Sequence, residues 1–341
     1  RVAVMCTDGI TRTVNVDKSL NYPAGWMVRI DVTPEGENVT AIENRTISGT
    51  VSADATMLGN RKLADDVQIL DTTTEGVAGT VRPSRLSGTK LNMLNVRYYT
   101  LNDNGEIDRL ILNDVTGDLW KYGVLDDIRN IAANLPSTKT PATAGDSEGE
   151  GSDGTTQVLK DLRSVLVPTT SEILWGVING DILQTVWNKV TSSTGSLVSI
   201  GVKQLAKVVG EPYGTILNYV GGGATYVCYV NGQLTSYTTS IKYPVLAGGL
   251  AVRQEVNGSV KAMIQLMPMK IDKVGAASVL SGSTRYEVAD NAQVYLWYKG
   301  QYYATKLAEV NSDDYYLTGW YDNFGCAAGK RVRVIVAVKK D

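Results

Sequence analysis

The sequence predicts a mainly β protein: two duplicated antiparallel β-barrel or sandwich domains with a partly helical connecting segment. Three observations lead there. The phrase LADDVQIL at residues 63–70 returns as VADNAQVYL at 288–296. Short alternating apolar runs, punctuated by turn signals, fill both ends of the chain. The recurring phrases also keep their order, which chance similarity of strands explains for one phrase but not for a series.

Taken in order, residues 2–23, VAVMCTDGITRTVNVDKSLNYP, parallel 225–244, TYVCYVNGQLTSYTTSIKYP. Each reads as a strand, a turn at Asp8-Gly9 or Asn231-Gly232, a Thr/Ser-rich strand and then Tyr-Pro. Asp-Gly and Asn-Gly favour tight hairpins because they accept positive φ. GWMVRIDVTPEGENVTAIEN (25–44) parallels GGLAVRQEVNGSVKAMIQ (248–265), again strand, polar turn, strand. After the echoed octets come SRLSG at 84–88 and TKLAE at 305–309. The closing hairpins are VRYYTLNDNGEIDRLIL (96–112) and YYLTGWYDNFGCAAGKRVRVIV (315–336). There Asp103-Asn104 matches Asp322-Asn323, and Arg109-Leu110-Ile111 matches Arg333-Val334-Ile335. Alternation puts Val332, Val334, Val336 and Val338 on one face of the last strand. Arg331, Arg333, Ile335, Ala337 and Lys339 fall on the other, so its middle is expected to be covered on both sides.

The predicted domains are residues 1–122, a connecting segment over 123–222, and residues 223–341. Within the connector, LPSTKTPATAGDSEGEGSDGTTQ (135–157) has almost no large apolar residue and reads as a flexible linker. Thr169 and Glu172 then form a capping-box pattern ahead of Ile173, Leu174, Val177, Ile178, Ile182, Val186, Trp187 and Val190 at helical spacing. That stripe packs on the β-domains or within a small helical subdomain, or it is a self-association surface.

Composition narrows the chemistry. Of 341 residues none is histidine, so neither a Ser-His-Asp nor a Cys-His nucleophile system can be built from this chain. Cys6, Cys228 and Cys326 follow no metal or redox spacing; one disulfide with a spare thiol, or three thiols, are both open. A net charge of −2 gives no pull toward nucleic acid, and no apolar run is long enough to insert in a membrane as a helix. The chain opens on RVAVMCTDG, already a strand entering a turn, and reads as a processed chain or an excised fragment.

The carboxylate pairs Asp65-Asp66, Asp126-Asp127 and Asp313-Asp314 offer material for a glycosidase. Adjacent strand residues point to opposite faces, however, which favours turn and strand-entry roles. The loop LNDNGEIDRL (101–110) resembles an Asp/Asn calcium loop but more simply makes a hairpin turn. No cofactor is expected, with calcium as the alternative. Aromatic residues crowd the second copy. Among them Trp297, Tyr298, Tyr302, Tyr303, Trp320 and Tyr321 are the candidate ligand-binding residues, able to stack on sugars or peptides. Core and cross-strand packing is the competing role.

Three phrases also resemble a known family: GEIDRLILNDVTGDLWKYGVL (105–125), YVCYVNGQLTSYTTSIKYPV (226–245), and YEVADNAQVYLWYKGQYYATKLAEV with YYLTGWYDN and GKRVRVIVA (286–337). They are similar to large surface proteins of anaerobic Gram-positive bacteria that carry S-layer homology modules, and SEILWGVINGDILQTVWNKVTSSTGSLVS in the connector fits the same family. Those modules are absent here. The resemblance implies secretion, a cell-wall or cell-surface location, and a repetitive β-rich body. The expectation is a non-catalytic extracellular structural protein (a surface-layer, spacer or filament subunit) that self-associates or contacts cell-wall components. The alternatives are a glycan- or peptide-binding module and a carboxylate-dependent hydrolase.

Overall fold

The structure, a computed structural model, describes residues 1–129 and 224–341, except 242, 244 and 246. The expected acidic linker, the capping box at Thr169 and Glu172, and the helical stripe therefore lie outside the described residues.

Alternating and β-branched residues form strands throughout the described chain. In order they are β1 (Val2–Met5), β2 (Thr11–Val14), β3 (Val28–Thr33), β4 (Gly36–Ala41), β5 (Gly49–Thr50), β6 (Met57–Leu58), β7 (Arg61–Thr72), β8 (Ala78–Thr80), β9 (Lys90–Leu91), β10 (Val96–Leu101), β11 (Ile107–Asn113) and β12 (Lys121–Arg129). After the connector come β13 (Ala224–Val230), β14 (Gln233–Thr239), β15 (Gly248–Gln254), β16 (Val260–Gln265), β17 (Met267–Ile271), β18 (Lys273–Val274), β19 (Ser278–Ser281), β20 (Thr284–Tyr298), β21 (Gln301–Thr305), β22 (Tyr315–Tyr321) and β23 (Val332–Lys339). Helix among the described residues is confined to two short 3-10 turns, Pro83–Leu86 and Leu307–Glu309.

Two larger sheets curl as half-barrels. In the first, β10 runs antiparallel to β11, β11 runs parallel to β7, and β8 pairs antiparallel with β7. In the second, β22 runs antiparallel to β23, β23 parallel to β20, and β21 antiparallel to β20. The expectation of purely antiparallel sheets is thus corrected. Each long strand is separated from its parallel partner by further strands and a 3-10 turn, enough chain to make a crossover.

Both parallel ladders carry the same irregularity. Leu63 faces Ile107 and Gln68 faces Arg109; Val288 faces Val332 and Gln293 faces Val334. These registers set Arg333 against Asp108, not Arg109, correcting the sequence match by one residue. They also correct the face of Val332. It packs with Ile335 and Ala337 in the core of the second half-barrel, while Val334 and Val336 face the other way. The change of phase comes from a bulge: Tyr321 opposes Val332 and Trp320 opposes Val334, leaving Arg333 as the extra residue.

A third sheet joins the strand that precedes the connector to those that follow it. Its order is β14-β13-β12-β15-β16, all antiparallel, so β12 is hydrogen-bonded on both edges. The expected boundary between residues 122 and 123 falls inside this strand. Gly123 is what lets β12 lie so close, since a Cβ there would stand 2.5 Å from the Tyr229 carbonyl oxygen. The sheet packs on the second half-barrel through Tyr122, Val124, Ala251, Tyr295, Val334 and Val336. By contrast, β1–β2 and β3–β4 are separate two-stranded hairpins.

Candidate functional site

The six aromatic candidates divide by environment. Trp320 lies across Gly248 and Gly249, where any Cβ would meet its indole at 2.6 Å. Tyr302 stands edge-on to Tyr229 and Tyr295, with ring centroids 5.3 and 6.1 Å away. Tyr321 packs against Tyr286 at 5.0 Å. These three are packing residues. Trp297, Tyr298 and Tyr303 are exposed, at 42%, 58% and 48%. They do not form one face. Trp297 pairs with Tyr302, whereas Tyr303 pairs with Leu296, one residue along β20 and so on the opposite side. The row through Trp297 continues over Val338 to Tyr316, which is 64% exposed. Trp297 and Tyr316 therefore flank Val338 on one surface, and Lys340 stands 5.3 Å from the Tyr316 ring.

A polar cluster at the junction of the half-barrels was not singled out from sequence. The bulge turns the Arg333 side chain away from both apolar cores, and it is fully buried. Its Nε donates to Asp322 Oδ1 at 2.7 Å, and its Nη1 to Asp118 Oδ1 at 2.6 Å and Asn291 Oδ1 at 3.2 Å. Its Nη2 donates to the Thr116 carbonyl at 2.8 Å. Arg85 completes the fork on Asp118 at 3.0 and 3.1 Å and reaches the Ala328 carbonyl at 2.8 Å. Burial works against the Asp118 charge, but Arg85 and Arg333 hold its carboxyl below the usual range. Arg333 sits 4.7 Å from the Tyr122 ring, and despite burial the surrounding charges hold its pKa above the ordinary value.

Asp71, also fully buried, accepts from the Val115 and Thr116 amides at 3.0 and 2.9 Å and the Thr116 hydroxyl at 2.7 Å. Burial pushes its carboxyl up despite these donors. On the far side Arg253 donates to Glu75 at 2.8 Å, and Trp120 Nε1 donates to Asp114 Oδ2 at 2.9 Å. Cys326 Sγ lies 3.9 Å from Asp114 Oδ1, and burial pushes the thiol up. None of the three cysteines forms a disulfide among the described residues.

A cleft of about 590 Å³ opens beside this cluster, lined by Asp71, Thr80, Arg82, Arg85, Asp118, Asp290 and Arg331 among others. Its acids are engaged: Asp71 by amides and a hydroxyl, Asp118 by two guanidiniums, and Asp290 by Arg82 at 3.5 Å. The predicted carboxylate pairs do not gather there. Asp65 projects into solvent near Lys62, Asp127 accepts the Ile128 amide, and Asp313-Asp314 sits in a turn whose amides bond Asn311. In the calcium-like loop, Asn102 Oδ1 takes the amides of Asn104 and Glu106 at 3.0 Å, and Glu106 binds Lys62 at 2.8 Å. No group of three or more potential metal ligands occurs among the described residues. No helix there is long and apolar enough to cross a membrane.

The chain matches no family model, and no curated protein or solved structure is significantly similar to it.

Proposed function

We propose that this chain is a non-catalytic structural protein of the bacterial cell surface, a spacer or assembly subunit made of two copies of one β-unit. The observation that carries the reading is the way the copies are held together. β12 follows the first half-barrel in sequence yet sits at the centre of the third sheet, and the buried Arg333 side chain reaches Asp118 and Thr116 beside it. A chain built this way holds two units at fixed geometry. That suits a load-bearing rod better than an enzyme that must open and close.

Matching ladders support the duplication. Both half-barrels use a long strand, a short antiparallel partner, a 3-10 turn and a closing hairpin, with the same parallel step and the same irregularity at Leu63–Gln68 and Val288–Gln293. The glutamines at the end of that step anchor the same hairpin. Gln68 Oε1 accepts from Thr7 at 2.7 Å, and Gln293 Oε1 accepts the Asn231 amide at 2.9 Å. Gly9 approaches Thr80 as Gly232 approaches Ala304, a Cβ standing 2.9 Å away in each case.

The extracellular, cell-wall setting rests on the sequence resemblance. Electron microscopy and sedimentation of the purified protein test the role. An ordered array, fibre or concentration-dependent assembly is the expected outcome. A strict monomer at high concentration, with and without calcium, overturns the assembly form.

A second reading keeps one specific observation. The exposed Trp297 and Tyr316, flanking Val338, make an aromatic shelf that a sugar ring or an extended peptide could cover. A glycan and peptide array on the wild type and Trp297→Ala is the test. Loss of signal in the variant supports the reading, and a blank array removes it.

A further inference from the structure

The two β-units differ in what lies between their leading hairpins. In the second, β12 lies between β13 and β15 and knits hairpins β13–β14 and β15–β16 into one sheet. In the first, the corresponding hairpins β1–β2 and β3–β4 have no strand between them among the described residues, so one edge of β1 and one edge of β3 carry no ladder there.

Side chains register the same difference. Gln293 uses both ends of its amide: Oε1 takes the Asn231 amide, and Nε2 donates to the Tyr122 carbonyl of β12. Gln68, its counterpart, holds Thr7 through Oε1, but its Nε2 has no partner among the described residues. Burial follows. β13 is buried from Ala224 to Cys228 and β15 from Gly249 to Val252, whereas no residue of β1 or β3 is buried. Open edges of this kind are where proteins accept another strand.

We propose that the gap between β1 and β3 is a receptor for an extended strand with the residue pattern of β12, supplied by another unit of the same kind. The identity follows from the occupied site. β12 contributes Tyr122 and Val124 to the apolar layer, and Gly123 where the neighbouring backbone comes closest. An incoming strand needs the same alternation, a glycine at that position, and a carbonyl for Gln68 Nε2. Units linked in this way form a linear series, each closed by a strand from its neighbour. The inference rests on the duplication but not on the cell-surface role.

The test uses the whole 341-residue chain and a labelled synthetic peptide of residues 119–130, LWKYGVLDDIRN. Saturable binding is expected by fluorescence anisotropy, with new hydrogen-exchange protection at Val2–Met5 and Val28–Thr33. A peptide with Gly123→Val should bind at least about tenfold more weakly, because its Cβ meets a carbonyl. Two results overturn the proposal: no binding, or binding indifferent to Gly123→Val. Protection confined to β13 and β15 overturns it too, since the peptide is then replacing β12. If the chain alone already protects β1 and β3 at all concentrations, the occupant lies within the same chain and the proposal fails; protection that appears only as the chain self-associates supports it, a second copy then being the neighbouring unit. None of these outcomes bears on whether the protein assembles at a cell surface, which sedimentation and microscopy decide separately.

Discussion

At the residue scale, Arg333 is the decisive side chain. It is the extra residue of a bulge, has no exposed surface, and links Asp322, Asp118 and Asn291. A buried ion pair stabilises little against an apolar replacement, but removing one partner leaves the other charge stranded. Arg333→Ala is therefore expected to cost about 3–5 kcal/mol in urea unfolding. Arg109→Ala, an exposed residue one step from the corresponding position, should cost under about 1 kcal/mol. The pH dependence has a definite sign. The folded-state pKa of Asp118 is lowered, burial being outweighed by Arg85 and Arg333, so its contribution is complete above the unfolded value of about 3.9 and lost as pH falls through the folded value. Asp118→Asn should lower the urea midpoint at pH 7, with the gap to wild type closing as pH falls through the lowered folded-state value. Asp71 runs the other way. Burial raises its pKa, so its contribution is complete at low pH and lost as pH rises through the folded value. An Asp71 variant is a poor control for that reason.

At the scale of elements, β12 is bonded on both edges while its flanking hairpins lie beyond a long connector. The ladder should therefore survive a chain break. Residues 1–130 and 223–341, co-expressed as separate chains, are expected to co-purify as a one-to-one complex. Residues 223–341 alone should be largely insoluble, because β13 and β15 then expose the edges that β12 covers. Independent folding of both pieces, with no complex, would show β12 to be dispensable. The Gly248-Gly249 step gives a second check. Gly249→Val places a side chain inside the Trp320 contact and should destabilise by about 1–3 kcal/mol, measurable by thermal unfolding.

At the scale of the whole molecule, the two half-barrels and the third sheet meet at a charged junction. The Ala328 amide bonds the Val115 carbonyl across it, and Ala328 itself packs in the first half-barrel's core. Contacts that interlock both units predict one cooperative unfolding transition. Calorimetry should show calorimetric and van't Hoff enthalpies in agreement. Two resolved peaks would mean that the junction does not couple the units. A broad glycoside and peptide substrate screen is expected to stay silent, consistent with carboxylates already committed to guanidinium and amide partners.

The β class, many strand positions and the echo of the octets were legible in the sequence, because alternation and turn residues act over a few positions. Asn231-Gly232 adopts positive φ at both residues and makes the predicted tight turn. Of the six aromatic candidates, the sequence could not separate exposed Trp297, Tyr298 and Tyr303 from Tyr302, Trp320 and Tyr321, whose rings pack on neighbours. Tyrosine and tryptophan serve strands and ligands equally well. The junction was invisible for a related reason: Arg333 meets Asp118 and Thr116 across more than half the chain, and only a one-residue bulge turns it inward. By itself the sequence determined that this chain is mainly β and where its tight turns fall. Parallel pairing inside each half-barrel, the place of β12 between distant hairpins, and the burial of Arg333 were decided by tertiary structure, because each depends on which remote backbone edge or carboxylate a residue meets.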